Sequence, residues 1–124
     1  MTEIWFTGSS DQIKKSDMMK EINEYILSGG KVFVGTDSQI KSSHCIFITA
    51  ICLHSDRGRK YAKYFFKKHT KKMNSRELRD RIMREVQRSI DTSFEINKKH
   101  PSADIEVHVD VGLTNRSVAD WHTK

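Results

Sequence analysis

Two runs of the same design, far apart in the chain, constrain the fold most: KVFVGTDSQ from Lys31 to Gln39 and IEVHVDVG from Ile105 to Gly112. Each reads as an apolar strand running into an aspartate, Asp37 in the first and Asp110 in the second. An ionisable side chain within Val, Ile and Phe costs free energy to bury unless something pairs with it. Two such strands therefore point to carboxylates converging on a cation.

The segments between them say how the strands come together. Met18, Met19, Ile22, Tyr25 and Ile26 recur at helical spacing, which predicts a helix over 16–27 with Ser16 as its N-cap and Gly29-Gly30 as its stop. The first aspartate strand follows. Gln39 to Ser43 reads as a turn, HCIFITAICLHS as a second strand, SDRGR as another turn and KYAKYFFKK as a third strand, so three consecutive antiparallel strands are expected. A long helix then opens at Asn74 or Ser75 and runs to about Lys99, closed by His100-Pro101. Its apolar stripe is Leu78, Ile82, Val86 and Ile90, with Met83 and Phe94. At about 100° per residue Glu85 borders that stripe, whereas Glu77, Arg81, Arg84 and Arg88 point to solvent. Glu85 is the acid best placed to look inward, and Asp80 is the next. A helical crossover lays the last strand parallel to the first, making Asp37 and Asp110 neighbours beneath an acid of the covering helix.

At 124 residues the chain reads as one domain, enough to bury roughly two-thirds of its unfolded surface. Residues 36% hydrophobic and 31% charged, with one proline, predict an ordered fold rather than a disordered one. The start MTEIWFTGSSDQIKK lacks the pattern of a signal peptide, and no apolar run approaches membrane length, so the expected compartment is the cytoplasm and no membrane partner is expected. Cys45 and Cys52 share one predicted strand at odd spacing. They should face opposite sides about 23 Å apart, as unbridged thiols.

The net charge of +6 is concentrated. Eight Lys/Arg and no acid lie between Arg57 and Lys72, leaving 14 basic against 16 acidic residues elsewhere. Arg59, Lys60, Lys63, Lys67 and Lys68, interleaved with Tyr61, Tyr64, Phe65 and Phe66, suit a nucleic acid: lysines neutralise phosphates and aromatic faces accept bases. The alternative is a strand edge guarded by lysines against aggregation.

GTDSQ at 35–39, R-x-x-R-E-V-x-x-S from Arg81 to Ser89, HVDVG at 108–112 and SVADWHTK at 117–124 together resemble the YkuK family of ribonuclease H-like proteins. The resemblance covers most of the chain and implies an α/β, ribonuclease H-like mixed sheet of three antiparallel strands, a long helix and a parallel strand. It also implies a nuclease that uses two Mg²⁺ or Mn²⁺ ions to cleave RNA, an RNA/DNA hybrid or branched DNA. By matching position Asp37 would bridge both ions, Glu85 and Asp110 would each hold one side, and Asp120 would be a fourth ligand. His108 shares a face with Asp110 and Glu106, as a donor supporting the ligands or as a structural histidine.

Only Leu113 to Arg116 separate HVDVG from the final segment, where the family pattern leads us to expect a helix and a fifth strand. The C-terminal part reads as shortened, which would leave strand 105–111 at a sheet edge. A homodimer through that edge, or a tail folded across it, is expected. The contrasting reading of function is a non-catalytic nucleic-acid-binding or assembly module. The other histidines and the two cysteines show no zinc spacing, and the glycines match no phosphate loop.

Overall fold

The computed structural model describes residues 3–54, 61–72 and 78–109. Among them the chain forms strands β1 (Trp5–Thr7) and β2 (Gln12–Ile13), helix α1 (Lys15–Leu27), strands β3 (Lys31–Lys41), β4 (His44–His54) and β5 (Tyr61–Lys72), helix α2 (Leu78–Lys99) and strand β6 (Ile105–His108). One sheet takes the order β2-β1-β5-β4-β3-β6. The β3, β4 and β5 strands are antiparallel neighbours, as their alternation predicts, and β6 returns parallel to β3 from Val32↔Ile105 to Gly35↔His108.

α1 starts one residue earlier than expected, with Lys14 rather than Ser16 at its N-cap and no side chain capping it. The reason is that β2 ends at Ile13 and leads straight into the helix. At the other end the sequence reading holds. Gly29 has a φ of 87°, and its N–H donates to the Ile26 carbonyl while Gly30 donates to that of Tyr25, the paired bonds of a Schellman stop. A Cβ on Gly30 would lie 2.9 Å from the carbonyl oxygens of both His54 and Tyr25, so no larger residue lets the helix return so tightly to the sheet.

The turn after β3 is shorter than expected. Gln39↔Ile46 and Ile40↔Cys45 continue the ladder, and only Ser42 and Ser43 turn. Ser42 takes a φ of 56°, the sign that a two-residue hairpin demands of its first central residue. The β1–β2 hairpin carries no strand pattern long enough to announce itself. It exists because Trp5 and Phe6 pair with Lys67 and Phe66 of β5 and the Trp5 indole is buried.

Both helices cover one face. Met18 and Ile22 of α1 and Ile96 of α2 pack with Trp5, Val32, Val34, Ile51, Leu53 and Phe65 of the sheet. Full burial of each such side chain contributes about 1.5–3 kcal/mol. Between α2 and β3 the core turns polar: the Thr36 hydroxyl meets those of Thr49 at 3.1 Å and Ser89 at 2.8 Å, all three buried. Strand alternation sends Phe33, Gly35, Asp37, Ile46, Ile48, Ala50, Cys52 and Phe66 to the other face, which neither helix covers. Cys45 is buried on the helix side and Cys52 half-buried on the open side, both free, as their odd spacing requires. Among the described residues no helix is long and apolar enough to cross a membrane.

Candidate functional site

Val32 and Val34 enter the core, so β3 must also turn Thr36 and Ser38 inward and Asp37 outward. The structure follows that rule: Thr36 and Ser38 are each 6% exposed, while Asp37 stands on the open face. One Asp37 carboxylate oxygen accepts the Ser38 backbone N–H at 2.9 Å. Across the ladder its partners are Ile48 of β4 and then Lys68 of β5, so these three share a row on the open face.

Glu85 looks inward as its helical position predicts and is buried, but it reaches the opposite side of the sheet from Asp37. Its carboxylate accepts a hydrogen bond from the Ser38 hydroxyl. Arg81 joins that contact, its Nε donating to the Ser38 hydroxyl and a terminal nitrogen to the Ser38 carbonyl, each at 3.3 Å. The described side chains therefore do not bring Asp37 and Glu85 to one side of the sheet. Consecutive residues of a strand point to opposite faces, and the helix that carries Glu85 meets the Ser38 face. Asp80, the next acid considered on this helix, pairs with Arg84 at 3.4 Å.

His108 shares the open face with Asp37, as expected of its alternation; it is opposite Gly35 and its ring lies 4.9 Å from that of Phe33. The described ladder ends at this pair, two residues short of Asp37 on β3 and two short of Asp110 in sequence. Asp110 and Asp120 lie outside the described residues, as do Arg59 and Lys60. No group of three or more His, Cys, Asp and Glu converges as a metal requires among the described residues. Asp37 supplies one hard oxygen donor of the kind Mg²⁺ and Mn²⁺ take. The described side chains alone do not complete a two-ion site, whose fit turns on Asp110.

The basic strand is divided between the faces. Lys63 pairs with Glu21 of α1, and Lys67 reaches Glu3 at 2.6 Å with its ammonium 5.0 Å from the Trp5 ring. Acids distant in sequence thus compensate two of the lysines expected to be free for phosphate. Burial works to raise the Glu3 carboxyl, but hydrogen bonds and charge from Lys67 and Lys15 outweigh it and hold the pKa down at about 2. Lys15 also bonds Glu95 at 2.5 Å, so one ion network joins the N-terminal segment, β5 and both helices. Of Lys63, Lys67 and Lys68, only Lys68 points to the open face, and it is exposed.

A second cationic group escaped the sequence reading. Arg88, expected in solvent, lays its guanidinium 4.6 Å from the centre of the Phe47 ring, and its buried Nε has no hydrogen-bond partner among the described residues. Burial and the neighbouring Arg84 lower its pKa, and burial together with Arg88, Lys71 and Lys67 lowers that of His69. The length of an arginine lets a residue at the polar border of a helix turn back over the sheet. The spacing of Arg84 and Arg88 along α2 was the available signal.

A mixed sheet with three antiparallel strands, a covering crossover helix and a parallel return strand, bearing an aspartate on β3 two residues beyond its described pairing with β6, defines a class of α/β fold shared with ribonuclease H. The family model described as ribonuclease H-like matches residues 15–120, and the chain belongs to that family, which points to a function connected with nucleic acid. No curated protein and no solved structure matches the chain.

Proposed function

We propose that this protein is a divalent-metal-dependent nuclease that acts at the open face of the sheet. The observation that carries the reading is the position of Asp37: an exposed carboxylate on a half-apolar sheet face, at the end of β3 toward which β6 runs. Asp37 and Asp110 would hold the ions, with Asp120 a further ligand. Mg²⁺ or Mn²⁺ bound there supplies an activated water and neutralises charge on the leaving oxygen. The protein's own groups bring the substrate in. Lys68, in the row of Asp37, neutralises a phosphate, and His108 presents ring nitrogens to the same face. Glu85 acts through Ser38, fixing the strand that carries Asp37 rather than touching the ion. The free thiols suit a cytoplasmic protein.

The placement of Glu85 favours a second reading, a nucleic-acid-binding module that does not cleave. Incubation with labelled RNA, RNA/DNA hybrid and branched DNA in Mn²⁺ separates the two. The nuclease reading expects cleavage by the wild type and none by Asp37→Asn at unchanged thermal stability. Binding without cleavage under any divalent ion supports the module.

A further inference from the structure

One row of cross-strand partners on the open face runs Phe6, Phe66, Ala50, Gly35, His108, across five strands. Its ends are ringed and its middle is bare. At one end Phe6 and Phe66 stack with centroids 5.4 Å apart; at the other Phe33 stands with His108 at 4.9 Å and His54 at 5.6 Å. Between them Ala50 and Gly35 form a floor, so the two ringed walls flank a saddle about three strand spacings, or roughly 14 Å, across.

Among the described residues nothing accounts for glycine at position 35. A Cβ there would meet its nearest neighbours, the His108 carbonyl oxygen and Cβ, at 3.5 and 3.8 Å, which are ordinary contacts, and the φ of Gly35 is not positive. Glycine inside a strand weakens it, and where the fold does not require one it marks a surface that something approaches closely. Asp37 lies two residues, about 7 Å, further along β3 on the same face.

We propose that the saddle seats a base of a single-stranded nucleic acid, held over Gly35 and Ala50 against the rings of Phe33 and Phe66. The inference rests on the nucleic-acid reading above and names its substrate as single-stranded. Aromatic rings on a sheet face stack unpaired bases, while bases inside a duplex are closed to them. Charge agrees with the choice of occupant: Lys41, Lys68 and Lys72 face this side by alternation against Asp37 and Glu106, while Lys31 is paired with Asp104 at 3.6 Å. A base over Gly35 brings the adjoining phosphodiester beside Asp37 and Lys68.

Fluorescence anisotropy of a labelled 12-nucleotide single strand and of its blunt duplex, both in EDTA to prevent cleavage, tests the saddle. The wild type should bind the single strand more tightly. Phe33→Ala and Phe66→Ala should each weaken that binding about tenfold. Gly35→Val should weaken it as much, and Gly35→Ala measurably, with neither lowering the thermal midpoint. Wild-type affinity in both Gly35 variants would overturn the saddle, and loss of cleavage in Asp37→Asn would then leave the nuclease reading standing. Tighter binding of the duplex would also overturn it, as would a wild-type dimer in light scattering that Gly35→Val dissociates, since the face would then belong to a second copy.

Discussion

Asp37 and Glu85 stand on opposite sides of the sheet, separated by the turn of a single residue: Ser38, next to Asp37, is the one whose hydroxyl meets the Glu85 carboxylate. The two acids therefore have different surroundings. Asp37 is exposed, and Glu85 ties α2 to the strand that carries Asp37.

Glu85→Ala should destabilise the fold by about 1.5–3 kcal/mol, the range for a hydrogen bond to a charged group lost from a buried site. Urea unfolding of Glu85→Ala, Ser38→Ala and the double variant measures it. The contact predicts a coupling of about 0.5 kcal/mol or more between the two positions. Strict additivity would show that the Ser38 contact does not hold α2.

The ion network around Glu3 makes a pH prediction. Its folded carboxyl titrates at about 2 against an ordinary 4.5, so the network stabilises the protein fully above pH 4.5 and loses that contribution as the pH falls toward 2. Because Glu3 is about one-third exposed, the effect should stay below about 1 kcal/mol. Thermal midpoints between pH 5 and 2 should fall more steeply for the wild type than for Glu3→Gln. Parallel curves would remove the network from the account.

The lysines of β5 should separate by face. Lys68→Ala should weaken nucleic-acid binding and flatten its dependence on log[salt] by up to about one unit. Lys63→Ala and Lys67→Ala, already paired with Glu21 and Glu3, should change stability slightly and the salt slope little. Equal slopes for all three variants would mean that the ion pairs open on binding.

Among the described residues β6 pairs with β3 alone, and Val107 and Val109 are 36% and 43% exposed at that edge. A groove of about 310 Å³ beside it is lined by Ile90, Phe94, Ile105 and Val107. A second copy pairing through this edge would satisfy its backbone groups. Light scattering at micromolar concentration should give a dimer mass that Val107→Asp reduces. A monomer with rapid amide exchange along 105–109 would contradict the pairing.

The order of elements was legible because each leaves a periodic trace: Met18 and Ile22 mark one helix, Ile82 and Val86 the other, and Val32 and Val34 a strand. The same period of two already assigned Asp37 and Ser38 to opposite faces. The expectation of a shared acid site rested on Glu85 bordering the apolar stripe of the helix, which does not say which face of β3 that helix meets. What sequence did not show was contact between distant residues. Glu3 and Glu21 neutralise lysines more than forty positions away, and Trp5 finds its strand only once β5 exists to receive it. Arg88 lies at the helix border, where angle alone does not decide which way a long side chain turns.

Under the proposed function Asp37, and not Glu85, holds the divalent ion. Titration of the protein with Mn²⁺, followed by the loss of the free-ion paramagnetic resonance signal, tests it without any need for a substrate. The wild type should bind, Asp37→Asn and Asp110→Asn should each lose about tenfold or more in affinity, and folded Glu85→Gln should change little. Wild-type Mn²⁺ affinity in Asp37→Asn would contradict it.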